Sequence, residues 1–342
     1  MRFGFWTPVF GGWLRNVEDE QTPLTWEHLK EIAQTAEAIG YDLTLIPELY
    51  LNDIKGPSGP TFDAWATAAA LAASTDRLEI LTAIRPSFHP VALTAKQIAT
   101  IQAIAGNRLS LNVVSAWWQE EARQYGIDFE DHDHRYAVTQ EYVDVLTGLW
   151  RETPFTHHGR FFDFDNTSLE PKPEQRPVIY AGGESEAGRQ AIANFADAYL
   201  VHGGTPQEVQ AKIADLQRRR VEVGRQPFQH FGMAAYVIVR DTEAQAQAEL
   251  ERITRVQAGA AYDSYRDFVS KSQLDTQVSL HDYSVSNRGL RPNLIGTPVQ
   301  VADRIRAFHE AGVDTLLIQA SPVLPELQRI AEQVFPLVDR QG

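Results

Sequence analysis

The sequence predicts a single (β/α)8 TIM barrel, an α/β fold in which eight parallel strands alternate with helices. Three observations support this prediction. Short β-branched or aromatic runs alternate with amphipathic segments of helical length along all 342 residues. Glycines follow several helices where a left-handed C-cap would turn the chain into the next strand. No change of composition and no Pro- or Ser-rich linker divides the chain, so we expect one domain over residues 1–342. A doubly wound open sheet is the alternative.

Eight segments are predicted as strands because each is a short apolar run bounded by turn residues, as expected of strands buried on both faces. They are Arg2–Pro8, Asp42–Pro47, Leu78–Ile84, Leu109–Ser115, Val178–Gly182, Ala198–His202, Met233–Val239 and Thr315–Gln319. Helices are predicted where apolar residues recur at three- and four-residue spacing. They include Trp26–Ile39, Phe62–Ala73, Val91–Ala105, Thr139–Trp150, Ser185–Phe195, Pro206–Val223, Glu243–Ala258 and Pro298–Ala311.

Two long insertions interrupt this alternation. The first covers residues 151–175 and contains the sequence HHGRFFDF, which predicts a β-hairpin. The second covers residues 261–293, after the seventh strand and its helix, and it carries aromatic residues, Ser, Asn and Arg. Surface decoration is the plain interpretation of both. Because the second insertion follows a strand whose end reaches the barrel mouth, it is also a candidate active-site lid.

The composition excludes several classes of function. Asp and Glu number 45 against 31 Lys and Arg, giving a formal net charge of −14. Such a charge repels phosphodiester backbones and anionic headgroups, so we expect neither a nucleic-acid nor a membrane partner. The absence of cysteine excludes disulfides, thiolate metal sites and cysteine nucleophiles. The N-terminal sequence lacks the pattern of a signal peptide, and we expect a cytoplasmic protein.

Active sites of such barrels lie at the carboxyl ends of the strands, so polar residues there are the first candidates. The set consists of Trp6, Thr7, Glu48, Arg85, Ser87, His89, Asn112, Ser115, Gly182, Gly183, His202, Tyr236, Gln319 and Ser321. It contains no metal cage, no Ser/His/Asp order and no pair of carboxylates at facing strand ends. These absences argue against hydrolysis performed by the protein alone, and we predict no metal site.

One turn has the composition of a phosphate site. Gly182 and Gly183 end a strand, and Ser185 opens the following helix. Glycines allow a close backbone approach, and free N–H groups at a helix N-terminus attract an anion. A plain turn is the alternative. Tyr136, in a helix-entry segment rich in His and Asp, is a further candidate for ligand contact.

Together these motifs give the sequence a resemblance to a known family, the bacterial luciferase-like flavin monooxygenases, within the group of alkanesulfonate and dimethylsulfone monooxygenases. The matching pieces extend over most of the chain and occur in the same order. They are Thr82–Ser87, Ala95–Ile101, Gly106–Trp117, His132 with Arg135 and Tyr136, His158–Phe162, Ala181–Ser185, Val237–Thr242 and Ile295–Pro298.

The resemblance implies a barrel that binds reduced FMN delivered by a separate NAD(P)H-dependent flavin reductase and uses O2 to oxygenate a small molecule. It implies that the flavin phosphate is held at Gly182, Gly183 and Ser185, with Tyr136 nearby. Asn112 and Ser115 would face the polar edge of the flavin or its ribityl chain, and Ala83 and Ile84 would lie against the ring, near Trp6. The family also implies self-association as a homodimer or homotetramer.

Departures from the family pattern bear on the substrate. Alkanesulfonate monooxygenases carry an arginine and a histidine on the seventh strand, where this chain has Ala234 and Tyr236. Their tryptophan after strand six corresponds to His202, and their tyrosine after strand eight corresponds to Ser321. The segment from Gln319 to Pro322 is similar to dimethylsulfone monooxygenases. We therefore expect cleavage of the C–S bond of a small sulfone, giving a sulfinate and an aldehyde. A sulfonate, giving sulfite, stays open because Arg85, Arg288 or Arg291 could replace the missing charges.

Roles for the remaining residues are hypotheses. Arg85 is predicted to hold a substrate oxygen or the flavin peroxide, with a structural ion pair as the alternative, and His89 either caps the next helix or contacts ligand. His202 and Tyr236 are candidates for proton delivery. The alternative functions are oxygenation of a non-sulfur compound, deazaflavin (F420)-dependent hydride transfer and a non-catalytic flavin-binding barrel.

Overall fold

Eight parallel strands close into a barrel in the computed structural model, which describes residues 1–115, 118–128, 132–255, 279–285 and 289–338. The barrel strands are β1 (Arg2–Trp6), β2 (Leu43–Ile46), β3 (Glu79–Ile84), β4 (Leu109–Val113), β7 (Ile179–Ala181), β8 (Ala198–Val201), β9 (Phe231–Val239) and β11 (Thr315–Gln319). Each pairs with the next in parallel, and β11 pairs back onto β1. All eight predicted strands are therefore confirmed, and the open sheet is wrong.

Helices cover the outside of the barrel. They are α1 (Trp26–Ala38), α2 (Ala64–Ala72), α3 (Val91–Ile104), α4 (Gln119–Gln124), α5 (His132–Arg151), α6 (Glu186–Phe195), α7 (Pro206–Glu222), α8 (Glu243–Thr254), α9 (Leu280–Tyr283), α10 (Pro298–Glu310) and α11 (Val323–Gln333). Helix α5 begins at His132 rather than at the predicted Thr139, because its first four residues, HDHR, are polar and give no apolar periodicity.

The first insertion contains the predicted hairpin, with β5 (Phe155–His158) antiparallel to β6 (Asp163–Thr167). Glu141 of α5 anchors its turn, since Glu141 Oε1 accepts the backbone N–H groups of Phe161 at 3.1 Å and Phe162 at 2.9 Å. In the second insertion, residues 261–278 and 286–288 lie outside the described residues. Segments 279–285 and 289–293 are described, and the strand β10 (Leu294–Gly296) follows them and pairs with the end of β9. The lid role of this insertion stays a prediction.

The amino-terminal end of the barrel is closed by a polar cluster. Arg2 of β1 forms an ion pair with Glu79 of β3 and donates to Tyr180 Oη at 3.3 Å. Ser110 Oγ donates to the other Glu79 oxygen at 2.5 Å. These contacts tie strands together at the barrel floor, the end opposite to the one where the site is predicted. Among the described helices, none is long and apolar enough to cross a membrane.

Candidate active site

A cavity of about 190 Å³ opens at the carboxyl ends of the barrel strands, where the sequence predicts the site. Its lining is mostly apolar, with a few polar groups converging on the same space, as is typical of a small-molecule site. The lining residues are Trp6, Phe10, Leu45, Pro47, Glu48, Leu49, Asp53, Ile54, Ala83, Arg85, Asn112, Val114, Gly182, Leu200, Val201, His202, Gly203, Ala234 and Leu317.

The structure brings six of the predicted site residues to this cavity: Trp6, Ala83, Arg85, Asn112, Gly182 and His202. Two of them present buried polar atoms that have no hydrogen-bond partner in the described protein, namely Trp6 Nε1, a donor, and Asn112 Oδ1, an acceptor. A buried polar group without a partner is costly. This donor and acceptor therefore indicate a ligand that itself offers an acceptor and a donor.

Strand alternation decides which neighbours reach the cavity. Ala83 and Arg85 both line it, whereas Ile84 is fully buried and is not among the lining residues. Consecutive strand residues point to opposite faces, so the Ile84 side chain lies outside the cavity that Ala83 lines, and its contact with the ring stays a prediction. By the same alternation, Asn112 of β4 and Val114, which directly follows that strand, both line the cavity. Ser115, which follows, is half-buried and is also absent from the lining.

The glycine turn after β7 has almost no room for side chains. A Cβ atom on Gly182 would lie 2.8 Å from the carbonyl oxygen of Leu200, which is backbone of β8 and cannot move aside. A Cβ on Gly183 would lie 3.3 Å from Tyr136 Oη. The tyrosine predicted to sit near this turn therefore does lie against it.

The turn leads directly into α6, whose N-cap is Ser185. Ser185 Oγ accepts the backbone N–H of Gly188 at 3.1 Å. Tyr199 Oη donates to the Gly183 carbonyl at 2.6 Å, and burial raises the pKa of Tyr199 above its ordinary value, so this hydroxyl remains a donor. The arrangement fixes a glycine-lined helix N-terminus at the edge of the cavity, as an anion site requires.

Beside this turn, Glu184 links the glycine segment to His202. Glu184 is buried, accepts from Lys212 Nζ at 2.5 Å, and lies 3.7 Å from His202 Nδ1. Lys212 also donates to the His202 carbonyl at 3.2 Å. The carboxylate next to the predicted phosphate site is thus neutralised by an ammonium group, and His202 is held at the cavity wall.

Arg85 also lines the cavity and belongs to a buried ion-pair cluster. Its Nε lies 3.3 Å from Glu48 Oε2, and its terminal nitrogens bond to the two carboxylate oxygens of Glu121. The guanidinium carbon stands 4.0 Å from the ring centroid of Phe88. The structural ion pair considered for Arg85 is therefore present.

Four predicted residues lie elsewhere. His89 Nε2 lies 2.6 Å from Glu48 Oε1, outside the cavity lining, and the N-cap of α3 is Pro90 without a side-chain cap, so the predicted helix cap is wrong. Tyr236 is fully buried and is not among the lining residues; Gly289 packs closely against it, and a Cβ on Gly289 would lie 3.1 Å from the Tyr236 Cβ. Ser321 is buried away from the lining, and Arg291 lies 3.9 Å from Glu208 at the start of α7.

Burial also raises the pKa of Tyr236 well above its ordinary value, which makes it a poor proton source for the cavity. The remaining predicted substrate residue, Arg288, lies outside the described residues.

The family model for luciferase-like monooxygenase matches residues 1–315. The chain belongs to this family. Two relatives are each 32% identical to this chain. One is from Pseudomonas fluorescens (strain Pf0-1) and one from Pseudomonas putida, and both are described as FMNH2-dependent dimethylsulfone monooxygenase. The alignments cover 99% of this chain and 94% and 95% of the two relatives.

Among solved structures, long-chain alkane monooxygenase is similar, with a TM-score of 0.84 at 20% identity, over 100% of this chain and 93% of that chain. At that identity the likeness concerns the barrel fold, and it agrees with the closed eight-stranded sheet. The family membership inferred from the motifs is confirmed by the family model.

Several polar residues of this luciferase-like site were not predicted as functional. Glu48 was noted only as a strand-end residue, while Asp53, Glu121 and Glu184 were not singled out for a role. Glu121 is the hardest to find, since it comes from the six-residue helix α4 and meets Arg85 only through the fold. Glu184 could have been found, because it directly follows the glycine pair. A carboxylate next to an expected anion site requires a neighbouring cation, which here is Lys212.

Proposed function

We propose that this protein is an FMNH2-dependent monooxygenase that cleaves the C–S bond of a small, neutral sulfone. For dimethylsulfone, the substrate, O2 and FMNH2 would give methanesulfinic acid, formaldehyde, FMN and water. One oxygen atom enters formaldehyde and the other leaves as water, so atoms and electrons balance. The substrate class follows the two relatives at 32% identity, of which the alignments cover 94% and 95%.

The observation that carries the flavin assignment is the pairing of two features around one cavity. Trp6 Nε1 and Asn112 Oδ1 are buried without protein partners, and an isoalloxazine ring offers both an acceptor and a donor at its polar edge. The Gly182–Gly183 turn and the N-terminus of α6 lie at the same mouth and suit a phosphate. The residues present therefore fit FMN.

In this proposal Trp6, Ala83 and Asn112 contact the ring, while Gly182, Gly183, Ser185 and Tyr136 hold the phosphate, and Ser115 borders the ribityl chain. Bound reduced FMN supplies the electrons with which O2 is activated. The apolar lining, including Phe10, Leu45 and Ile54, keeps water out of the reacting space. Arg85, fixed by its carboxylates, donates to a sulfone oxygen, and His202 Nε2 holds or moves a proton at the cavity wall.

The proposal includes partners. A separate NAD(P)H-dependent flavin reductase would supply the reduced flavin, since both relatives are described as FMNH2-dependent. We propose a homodimer or homotetramer, a single barrel domain over residues 1–342, and a lid formed by residues 261–293. Light scattering coupled to size-exclusion chromatography measures the oligomeric state.

The test is turnover with a purified flavin reductase, NADH, FMN and O2, in the presence of catalase. With dimethylsulfone we expect formaldehyde and methanesulfinate in equal amounts, each dependent on FMN, on O2 and on the protein. A reaction without reductase is the control. Binding of reduced FMN without any organosulfur turnover, across a series of small sulfones, would overturn the substrate assignment.

A further inference from the structure

We propose that Glu48 and Glu121 determine the charge preference of the substrate cavity by cancelling the positive charge of Arg85. This inference rests on the proposed function, because it names the feature that would separate neutral sulfones from anionic sulfonates. It concerns three side chains that are all at least nine-tenths buried: Glu48 is 5% exposed, Arg85 1% and Glu121 0%.

Glu121 binds the two terminal nitrogens of the Arg85 guanidinium. Both of its oxygens bond to Arg85, one to each terminal nitrogen. Glu121 Oε1 also accepts the backbone N–H of Tyr50 at 2.5 Å. This carboxylate lies behind Arg85, outside the cavity lining, so its role toward a ligand is electrostatic rather than by contact.

Glu48 contacts the backbone N–H and Nε of Arg85, and unlike Glu121 it lines the cavity. Its Oε2 accepts the backbone N–H of Arg85 at 2.9 Å and lies 3.3 Å from Arg85 Nε. Its Oε1 accepts from Trp65 Nε1 at 3.1 Å and lies 2.6 Å from His89 Nε2. Donors therefore surround both oxygens of this carboxylate.

The cavity as a whole carries no surplus of positive charge. Arg85 is the single Arg or Lys among its described lining residues, while Glu48 and Asp53 contribute carboxylates. Asp53 is paired with Arg15, whose NH2 lies 2.7 Å from Asp53 Oδ2. The one guanidinium of Arg85 and the two carboxylates of Glu48 and Glu121 sum to a formal charge of −1. An arginine in this setting offers N–H groups to a neutral oxygen but little net attraction to an anion.

Charge matters here because the site is removed from water, where the interaction between unit charges is several times stronger than at the surface. Neutralising one carboxylate would bring the formal charge of this cluster from −1 to 0, which removes its net repulsion of an anionic substrate. A sulfonate differs from a sulfone of similar size chiefly by that charge. Discrimination against an anion is therefore expected to depend on the two glutamates.

The test compares Glu121→Gln with wild type in two measurements. The first is equilibrium binding of methanesulfonate and of dimethylsulfone by calorimetry, and the second is the ratio of kcat/KM for the two compounds. We expect wild type to bind dimethylsulfone more tightly than methanesulfonate. We expect Glu121→Gln to gain methanesulfonate affinity by roughly tenfold or more, and to shift the kcat/KM ratio in the same direction.

Glu79→Gln is the matched control, since Glu79 is also a glutamate paired with an arginine on the barrel, at the opposite end of β3. It should leave both ratios unchanged. Glu48→Gln provides a second variant with the same expected direction, and thermal melts establish which variants are folded.

The outcomes separate the two proposals. A gain of methanesulfonate binding in Glu121→Gln or Glu48→Gln, without turnover of either compound, supports the charge inference and removes the proposed reaction. Folded variants with the charge preference of wild type overturn the inference while leaving the reaction intact. Methanesulfonate binding to wild type as tightly as dimethylsulfone overturns it without any variant.

Discussion

At the scale of single residues, Gly182 has no room for a side chain. We expect Gly182→Ala to lower the free energy of unfolding by about 1–3 kcal/mol and to abolish measurable FMN binding, because its methyl would meet the Leu200 carbonyl at 2.8 Å. Gly183→Ala should cost less, since its methyl meets the ends of two side chains, Ile192 and Tyr136, at 3.2 and 3.3 Å. Urea unfolding and flavin fluorescence titration measure both variants. Equal effects for the two would contradict the steric argument.

Tyr136 gives a second prediction at this scale. Its hydroxyl lies 2.6 Å from where a Cβ on Gly188 would stand, so it covers the turn proposed for the phosphate. Tyr136→Phe should weaken FMN binding by about tenfold, in keeping with loss of one hydrogen bond to a charged group. Riboflavin, which lacks the phosphate, should bind as it does to wild type. The check is a pair of dissociation constants, and a parallel loss for both flavins would remove Tyr136 from the phosphate site.

Individual site residues were predictable from the sequence where strand position alone decides exposure to the cavity. Trp6, Asn112 and Gly182 lie at strand ends, and each lines the cavity. Ile84 shows the limit of motif matching, because the residue alternation along β3 excludes it although it belongs to the same motif as Ala83. The Arg85–Glu121 pair was not predictable, since 36 residues separate the partners and only the closed barrel brings them together.

At the scale of elements, the N-cap of α6 is expected both to stabilise the helix and to bind the flavin phosphate. A pair of N-cap variants distinguishes these two effects. Ser185→Ala removes the acceptor for the Gly188 N–H, and Thr25→Ala does the same for the His28 N–H at the start of α1. Each should lower the free energy of unfolding by about 1 kcal/mol. Ser185→Ala alone should also weaken FMN binding. If both variants, or neither, weaken flavin binding, the helix terminus is not the phosphate site.

Elements were predicted well where burial on both faces gives a short, mainly apolar run. The strand β3, with the sequence EILTAI, is of this kind, as is β11, with TLLIQ. The start of α5 was predicted wrongly because its first residues are polar, so the spacing of apolar residues does not indicate a helix there. The six-residue α4 is too short to produce a periodic pattern, and this helix carries Glu121.

At the scale of the whole molecule, Arg15 joins three distant parts of the chain beside the cavity. Its backbone N–H donates to the Ser284 carbonyl at 3.0 Å, and its Nε donates to the Tyr283 carbonyl at 2.9 Å. Its NH2 pairs with Asp53, a cavity-lining residue of the loop after β2. The guanidinium carbon stands 3.9 Å from the centroid of the Tyr283 ring. Segment 279–285 of the second insertion is thereby fastened to the loops after β1 and β2.

We therefore expect Arg15→Met to release segment 279–285 selectively. Removing one partner of a buried ion pair lowers stability by about 3–5 kcal/mol, because Asp53 keeps its charge without a partner. Arg15 joins the loops to segment 279–285, so we expect the loss to weaken mainly this contact. Hydrogen exchange followed by mass spectrometry should show faster exchange in peptides covering residues 279–285, with the barrel strands unaffected. Arg2→Met, which breaks the Arg2–Glu79 pair on the barrel floor, is the matched control. If Arg15→Met accelerated exchange no more than Arg2→Met does, the insertion would be held by its other contacts, such as the bridge between Leu14 and Val285.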